Sequence, residues 1–207
     1  MIHENNMPIR LYGNSPKVEQ ALKLDEHTSR KIAAIIIYSG DIEYFLELAI
    51  WKLKAIDPKG LRPITDAKNV TDLIKLFESC APDTPNDTKP HWIHTWAKAA
   101  RSAYIIRNTI AHGVSNNMGE TITFMRNPRW HGEVRKREFG DFWCDSNSLD
   151  MTADSFATLR RMVASIAITE RTINEIGQGI AIKALNEASS VLGEFAQRAY
   201  NPSFEKY

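Results

Sequence analysis

In "IIRNTIAHG", residues 105–113, an arginine, an asparagine and a histidine close an otherwise apolar segment: Arg107 and Asn108 are adjacent, and His112 follows four places after the asparagine. A guanidinium stays charged at every physiological pH, and its planar fork matches phosphate oxygens. An imidazole titrates near neutrality and can give or take a proton. The asparagine amide can hydrogen-bond a phosphate or hold its neighbour in place. The same spacing recurs in "RNPRWH", residues 126–131, but that match contains Pro128 and Trp130 and falls in a turn between short strands. No regular backbone holds its side chains at a fixed separation, so its spacing reads as accidental. The match at 107–112 ends a helix, a rigid element that can preorganise a site. It also has a purely structural reading, because a cation near a helix C-terminus suits the dipole and His followed by Gly is an ordinary helix stop. The surrounding elements must decide between them.

Those elements are mostly helical. Residues 28–56 carry apolar side chains at Ile35, Ile42, Leu46, Ala49 and Leu53, with a cap at Thr28 or Ser29 and a stop at Pro58 and Gly60. "NVTDLIKLFESCA" predicts a shorter helix capped by Asn69, with Asp72 in its first turn. After the loop "PDTPNDTKP", Pro90 is placed for a first helical turn. The helix that follows lines up Trp92, Trp96, Ala100, Ala103, Ile106 and Ile110 on one stripe. Ala97, Ala99, Ala100 and Ala103 would let a neighbouring helix come close, within or between chains. Gly113 is expected to end it as a left-handed residue. Residues 120–145 hold the alternating segments "ETITFMR", "GEVRKREF" and "DFWC", which fit a small β-hairpin or three-stranded flap. From Thr152 to about Tyr200 the pattern is helical again, broken near Gly177–Gly179. The expectation is an all-α helical bundle of about four to five helices with a small β insertion. Its parts would be an unperiodic N-terminal arm (1–27), one domain (28–200) and a short tail (201–207).

Composition narrows the function. The chain has 207 residues, 43% hydrophobic and 25% charged, with a net charge of +1. No global basic field marks a nucleic-acid binder, so any such surface must be local. Cys80 and Cys144 lie far apart and form neither a disulfide framework nor a thiolate zinc site. The N-terminus is polar where a signal peptide needs an apolar stretch, and "IAAIIIY" is too short to span a bilayer. A cytoplasmic protein without a membrane role is expected. His91 and His94 form H-x-x-H without a Cys or acidic cluster to complete a metal set, so capping or surface roles fit them better. No Glu-x-x-His, Gly-rich phosphate loop or G-x-S-x-G elbow occurs. No cofactor or metal is implied.

A helical bundle whose penultimate long helix ends in Arg-Asn-x-x-x-His, followed by a small insertion and a final long helical segment, resembles the HEPN superfamily. Arg107, Asn108 and His112 carry the resemblance; "GDIEYFLELAIWKL", residues 40–53, resembles the family's earlier helix with an acidic residue near its middle, here Glu43. The resemblance implies a metal-independent RNA endonuclease, of a kind often found as toxins or defence effectors, or a relative that has lost activity. In such an enzyme His112 would be general acid/base, Arg107 would stabilise phosphate charge and Asn108 would assist. The attacking 2′-OH of the RNA would leave a 2′,3′-cyclic phosphate. Some members carry a Tyr two places after the His for control by a partner nucleotidyltransferase; Val114 stands there, which argues against that subgroup.

Residues five apart on an ideal helix differ by about 140° around its axis. A two-fold homodimer would bring Arg107 and His112 of paired chains around one cleft more easily than one chain could. Arg126, Arg129, Arg135, Lys136 and Arg137, with Trp130 among them, offer cations and a stacking ring to RNA, or else a solvated hairpin surface. Glu43 would orient the His or the Arg, or lie exposed beside the core stripe. Partners would be RNA, a second copy and an inhibitory antitoxin. The alternative is a non-catalytic helical dimer binding a nucleotide, RNA or protein.

Overall fold

In the computed structural model, which describes residues 7–57, 59, 64–82, 91–118, 121–127 and 139–197, five helices of nine or more residues surround one core. They are α3 (Glu26–Leu53), α4 (Val70–Glu78), α5 (Trp92–His112), α6 (Ser146–Ile168) and α8 (Ile180–Phe195). The apolar spacing of α5 explains its central position. Trp92, Trp96, Ala100, Ala103, Ile106 and Ile110 are all buried, and the helix meets α3, α4, α6, α8 and the sheet. Ala97, Ala99, Ala100 and Ala103 are 0% exposed. These small residues therefore serve close packing inside the chain and are not free for a second copy. Burying Trp96 leaves its indole N–H in need of an acceptor, which the Leu159 carbonyl of α6 supplies at 3.0 Å.

Helix α3 lies along α6. Arg160 of α6 pairs with Asp41 at 2.6 Å and sits 5.3 Å above the Phe45 ring, fixing the register between the two. The cap of α3 is Asp25, whose carboxylate accepts from the Thr28 amide at 2.6 Å; the expected caps Thr28 and Ser29 are already inside the helix. Asn69 caps α4 as its sequence predicts, with Asp72 in the first turn. Residues 83–90, including Pro90, lie outside the described residues.

The segment read as an unperiodic arm contains two short helices, α1 (Pro8–Gly13) and α2 (Ser15–Ala21), in which no residue is buried. Proline in the first turn starts both, where a missing N–H costs nothing. The last helical region begins earlier than its periodicity suggests. Asp145 caps α6, accepting from the Ser148 amide at 3.0 Å. It breaks at residues 169–172 as well as near the glycines, leaving the one-turn α7 (Ile173–Ile176) between α6 and α8. Gly177 lies against Trp92: a Cβ there would stand 2.2 Å from the indole Cδ1.

The insertion is a three-stranded antiparallel sheet in the order β1 (Val114–Met118), β2 (Thr121–Arg126), β3 (Gly140–Trp143). "ETITFMR" and "DFWC" supply β2 and β3. The remaining described strand is "VSNNM", which sequence reading passed over, while most of "GEVRKREF" lies outside the described residues. Three of the five β1 residues are polar, with no core-facing alternation to read; its pairing with β2 holds it in place. No helix among the described residues is long and apolar enough to cross a membrane.

Candidate functional site

Arg107 and Asn108 stand on the last turns of α5, both half-buried. The Arg107 Nη1 donates to the Asn108 Oδ1 at 3.0 Å. Its Nε is buried without a partner among the described residues. One turn earlier on the same face is Tyr104, 5% exposed, whose hydroxyl donates to the Ser39 carbonyl of α3 at 2.8 Å. Glu43 follows Ser39 by one turn and stands beside the same hydroxyl. Burial pushes the Tyr104 phenol well above its usual range, the Glu43 charge and hydrogen bond push it further, and the Arg107 charge opposes them. Glu43 is thus neither a bystander on the solvent face nor a partner of His112. It is half-buried beside the Tyr104 hydroxyl, and Arg107, whose side-chain hydrogen bond goes to Asn108, acts on that phenol through its charge. Tyr104 went unnoticed in the sequence, where its one signal is a position three residues before Arg107, on the same helical face.

His112 is the last residue of α5 and is exposed. Among the described residues its side chain makes no hydrogen bond or ion pair, and the arginine is bonded to its immediate neighbour. The fold brings Arg107 and Asn108 together with Glu43, and leaves the imidazole free at the helix end. The chain then turns into β1 through Gly113, whose φ of −80° and ψ of 156° are extended, not left-handed as expected. Glycine is needed here for a different reason, close approach. The Gly113 amide donates to the Thr109 carbonyl at 2.8 Å, and a Cβ would stand 2.3 Å from that oxygen and 3.2 Å from the Met125 carbonyl oxygen.

The sheet brings a second guanidinium to this end of α5. Arg126, the last residue of β2, has its Nη2 3.5 Å from where a Gly140 Cβ would be, and Thr109 Oγ1 lies 3.9 Å from the same point. Arg126 therefore sits near Thr109, on the side of α5 away from Arg107, and its Nε is likewise buried without a partner among the described residues. Asn127, the last described residue of the second motif match, takes a left-handed φ of 53°. The rest of that match and the other flap residues, Arg129, Trp130, Arg135, Lys136 and Arg137, lie outside the described residues. Asp141, opposite Met125 in the sheet, has its carboxyl raised above the usual range by burial, partly offset by the Trp143 indole, which donates to it at 3.3 Å.

The two histidines at the start of α5 have structural work. His91 Nδ1 accepts from the Ile93 amide at 3.3 Å as the helix cap, and His94 lies 3.5 Å from Glu78, which also pairs with Arg101. No group of three or more His, Cys, Asp or Glu side chains that could hold a metal occurs among the described residues. Comparison of the chain with protein-family models, with curated proteins and with solved structures finds no match.

Proposed function

We propose that this chain is a metal-independent RNA endonuclease of HEPN type, a toxin-like or defence effector that works as a homodimer with one composite site. The observation that supports it most is the setting of Arg107: its Nη1 bonds to Asn108, its Nε is buried without a partner among the described residues, and it stands at the same helix end as an exposed His112. In this reading the guanidinium binds the scissile phosphate and stabilises the charge of the phosphorane. His112 moves the proton of the 2′-OH or of the departing 5′ oxygen. Arg126 adds positive charge beside the cleft.

The second copy answers a geometric need. On one chain the two side chains leave the helix about 140° apart, so the imidazole facing Arg107 comes from the partner. Exposed apolar side chains near this end, Ile37 (62%) and Tyr44 (61%) on α3 and Ile105 (41%) on α5, suit such a contact. Regulation would fall to an inhibitory antitoxin protein, and no metal or cofactor enters the chemistry. The separation of Arg107 from His112 also favours one other reading, a helical dimer that binds RNA, a nucleotide or a protein without cutting.

The test incubates purified protein with mixed RNA in excess chelator, alongside Arg107→Ala and His112→Ala. Cleavage by the parent alone, with 2′,3′-cyclic phosphate ends, is the expected result. Equal cleavage by all three proteins would mean contamination, and no cleavage by any would favour the binding reading. A strictly monomeric parent with full activity would refute the composite site.

A further inference from the structure

The other end of α5 bears a cavity that the proposed ribonuclease does not use. It has a volume of about 270 Å³ and lies between α6, α7 and α8. Trp92, the first residue of α5, donates to the Ile173 carbonyl of α7 at 3.1 Å. Twenty residues separate Trp92 from His112, so the cavity lies about 30 Å along the helix from the imidazole. The charged side chains lining it are Arg161 and Arg171, and no carboxylate lines it. The Arg161 guanidinium makes no hydrogen bond or ion pair among the described residues, while its carbonyl accepts from the Ser165 hydroxyl at 2.8 Å. The Arg171 guanidinium donates to the Glu175 main-chain carbonyl, while the Glu175 carboxylate is engaged by the amide and hydroxyl of Thr172 at 2.7 and 2.8 Å.

Both guanidinia are exposed, and Arg171 is partly offset by the nearby Glu175 charge; an anion in the cavity would pair with two cations that no lining carboxylate meets. The α8 N-terminus lies at the same cavity through Gln178, Ile180 and Ala181, adding the positive end of a dipole, although the Ala181 amide itself donates to the Gln178 carbonyl at 3.2 Å. Met162, Ile176, Ala181 and Ala184 line it with apolar surface, and Ile180, 81% exposed, is also part of its lining. A bare inorganic ion would leave this apolar surface wet. We propose that the cavity binds a small phosphomonoester, its phosphate between Arg161 and Arg171 and its sugar or base against Met162, Ile176 and Ile180. Its volume, near the lower end for small-molecule pockets, suits one nucleotide or sugar phosphate rather than a polymer. The site is independent of the ribonuclease reading.

Isothermal titration calorimetry with inorganic phosphate, ribose 5-phosphate and adenosine 5′-monophosphate tests it. Saturable binding of an organic phosphate, tighter than that of inorganic phosphate, is expected. It should weaken at least about tenfold in Arg161→Ala/Arg171→Ala and persist in His112→Ala and in Lys98→Ala, a charge control on α5. Ala184→Trp, which fills the cavity and keeps both arginines, should abolish it. No saturable binding of any probe below about 1 mM, binding of inorganic phosphate alone, or undiminished binding in both the double variant and Ala184→Trp would overturn the proposal.

Discussion

Replacing Gly113 by Ala is the most direct probe of how α5 delivers His112 to its place. The added methyl would stand 2.3 Å from the Thr109 carbonyl oxygen and 3.2 Å from that of Met125. Both obstacles are main-chain atoms, so no side-chain rotation relieves the contact. The chain must move away, stretching or breaking the 2.8 Å bond from the Gly113 amide to Thr109. Losing that bond costs about 1 kcal/mol, and forcing the backbones apart costs about 1–3 kcal/mol. For a chain of this length the combined loss lowers Tm by roughly 5–15 °C. Gly40→Ala supplies the contrast: Gly40 lies inside α3 with nothing within 4 Å of a Cβ, and the same change there should stabilise by about 0.5–1 kcal/mol. Calorimetric melting of both variants, with amide exchange at Gly113, measures the effect, and RNA cleavage at a temperature where Gly113→Ala remains folded should fall because His112 has shifted. Melting indistinguishable from the parent, with the Gly113 amide still protected, would refute the close-approach argument.

Four further outcomes are expected. Mixing Arg107→Ala with His112→Ala should restore measurable cleavage, since heterodimers keep one arginine and one histidine around the shared cleft; two inactive proteins that stay inactive on mixing, though heterodimers form, would rule the composite site out. Asp141→Asn should raise Tm at neutral pH. Burial raises the Asp141 carboxyl in the folded state, so its contribution is fully present below the unfolded carboxylate pKa and is lost as pH rises through the folded one; the gain from Asn should vanish in acid, as paired melts across pH would record. Asp25→Ala should cost about 1 kcal/mol at neutral pH through loss of the α3 cap. The Thr28 hydrogen bonds hold the Asp25 carboxyl below its usual range, so in denaturant titrations the difference from the parent should shrink as pH falls through that lowered value. A thiol reagent at mildly alkaline pH should label Cys80 slowly and Cys144 only on unfolding, because burial raises both thiols and Cys144 is 4% exposed; Cys144→Ser should remove the second phase of labelling.

Much of the bundle was legible because burial imposes a period on helices. The stripes through Ile35, Ile42, Leu46 and Ala49 and through Trp92, Trp96, Ala100, Ala103, Ile106 and Ile110 are the core itself. Boundaries were less legible, because a cap depends on one hydrogen bond. Asp25 and Asp145 each lie several residues ahead of where the apolar rhythm becomes plain. In the insertion, "VSNNM" has too little apolar alternation to announce a strand, and pairing with β2 decides its conformation.

The candidate site divides in the same way. The order of residues alone put Arg107, Asn108 and His112 at the end of one helix, since local periodicity and a following glycine suffice for that. Tertiary contact between α3 and α5 decided that Tyr104 meets Ser39 and Glu43, and the pairing of β2 with β3 decided that Arg126 lies by Gly140 and Thr109. Contacts between residues sixty positions apart depend on how faces meet across the core. A linear pattern records which face is apolar, but not which neighbour will cover it.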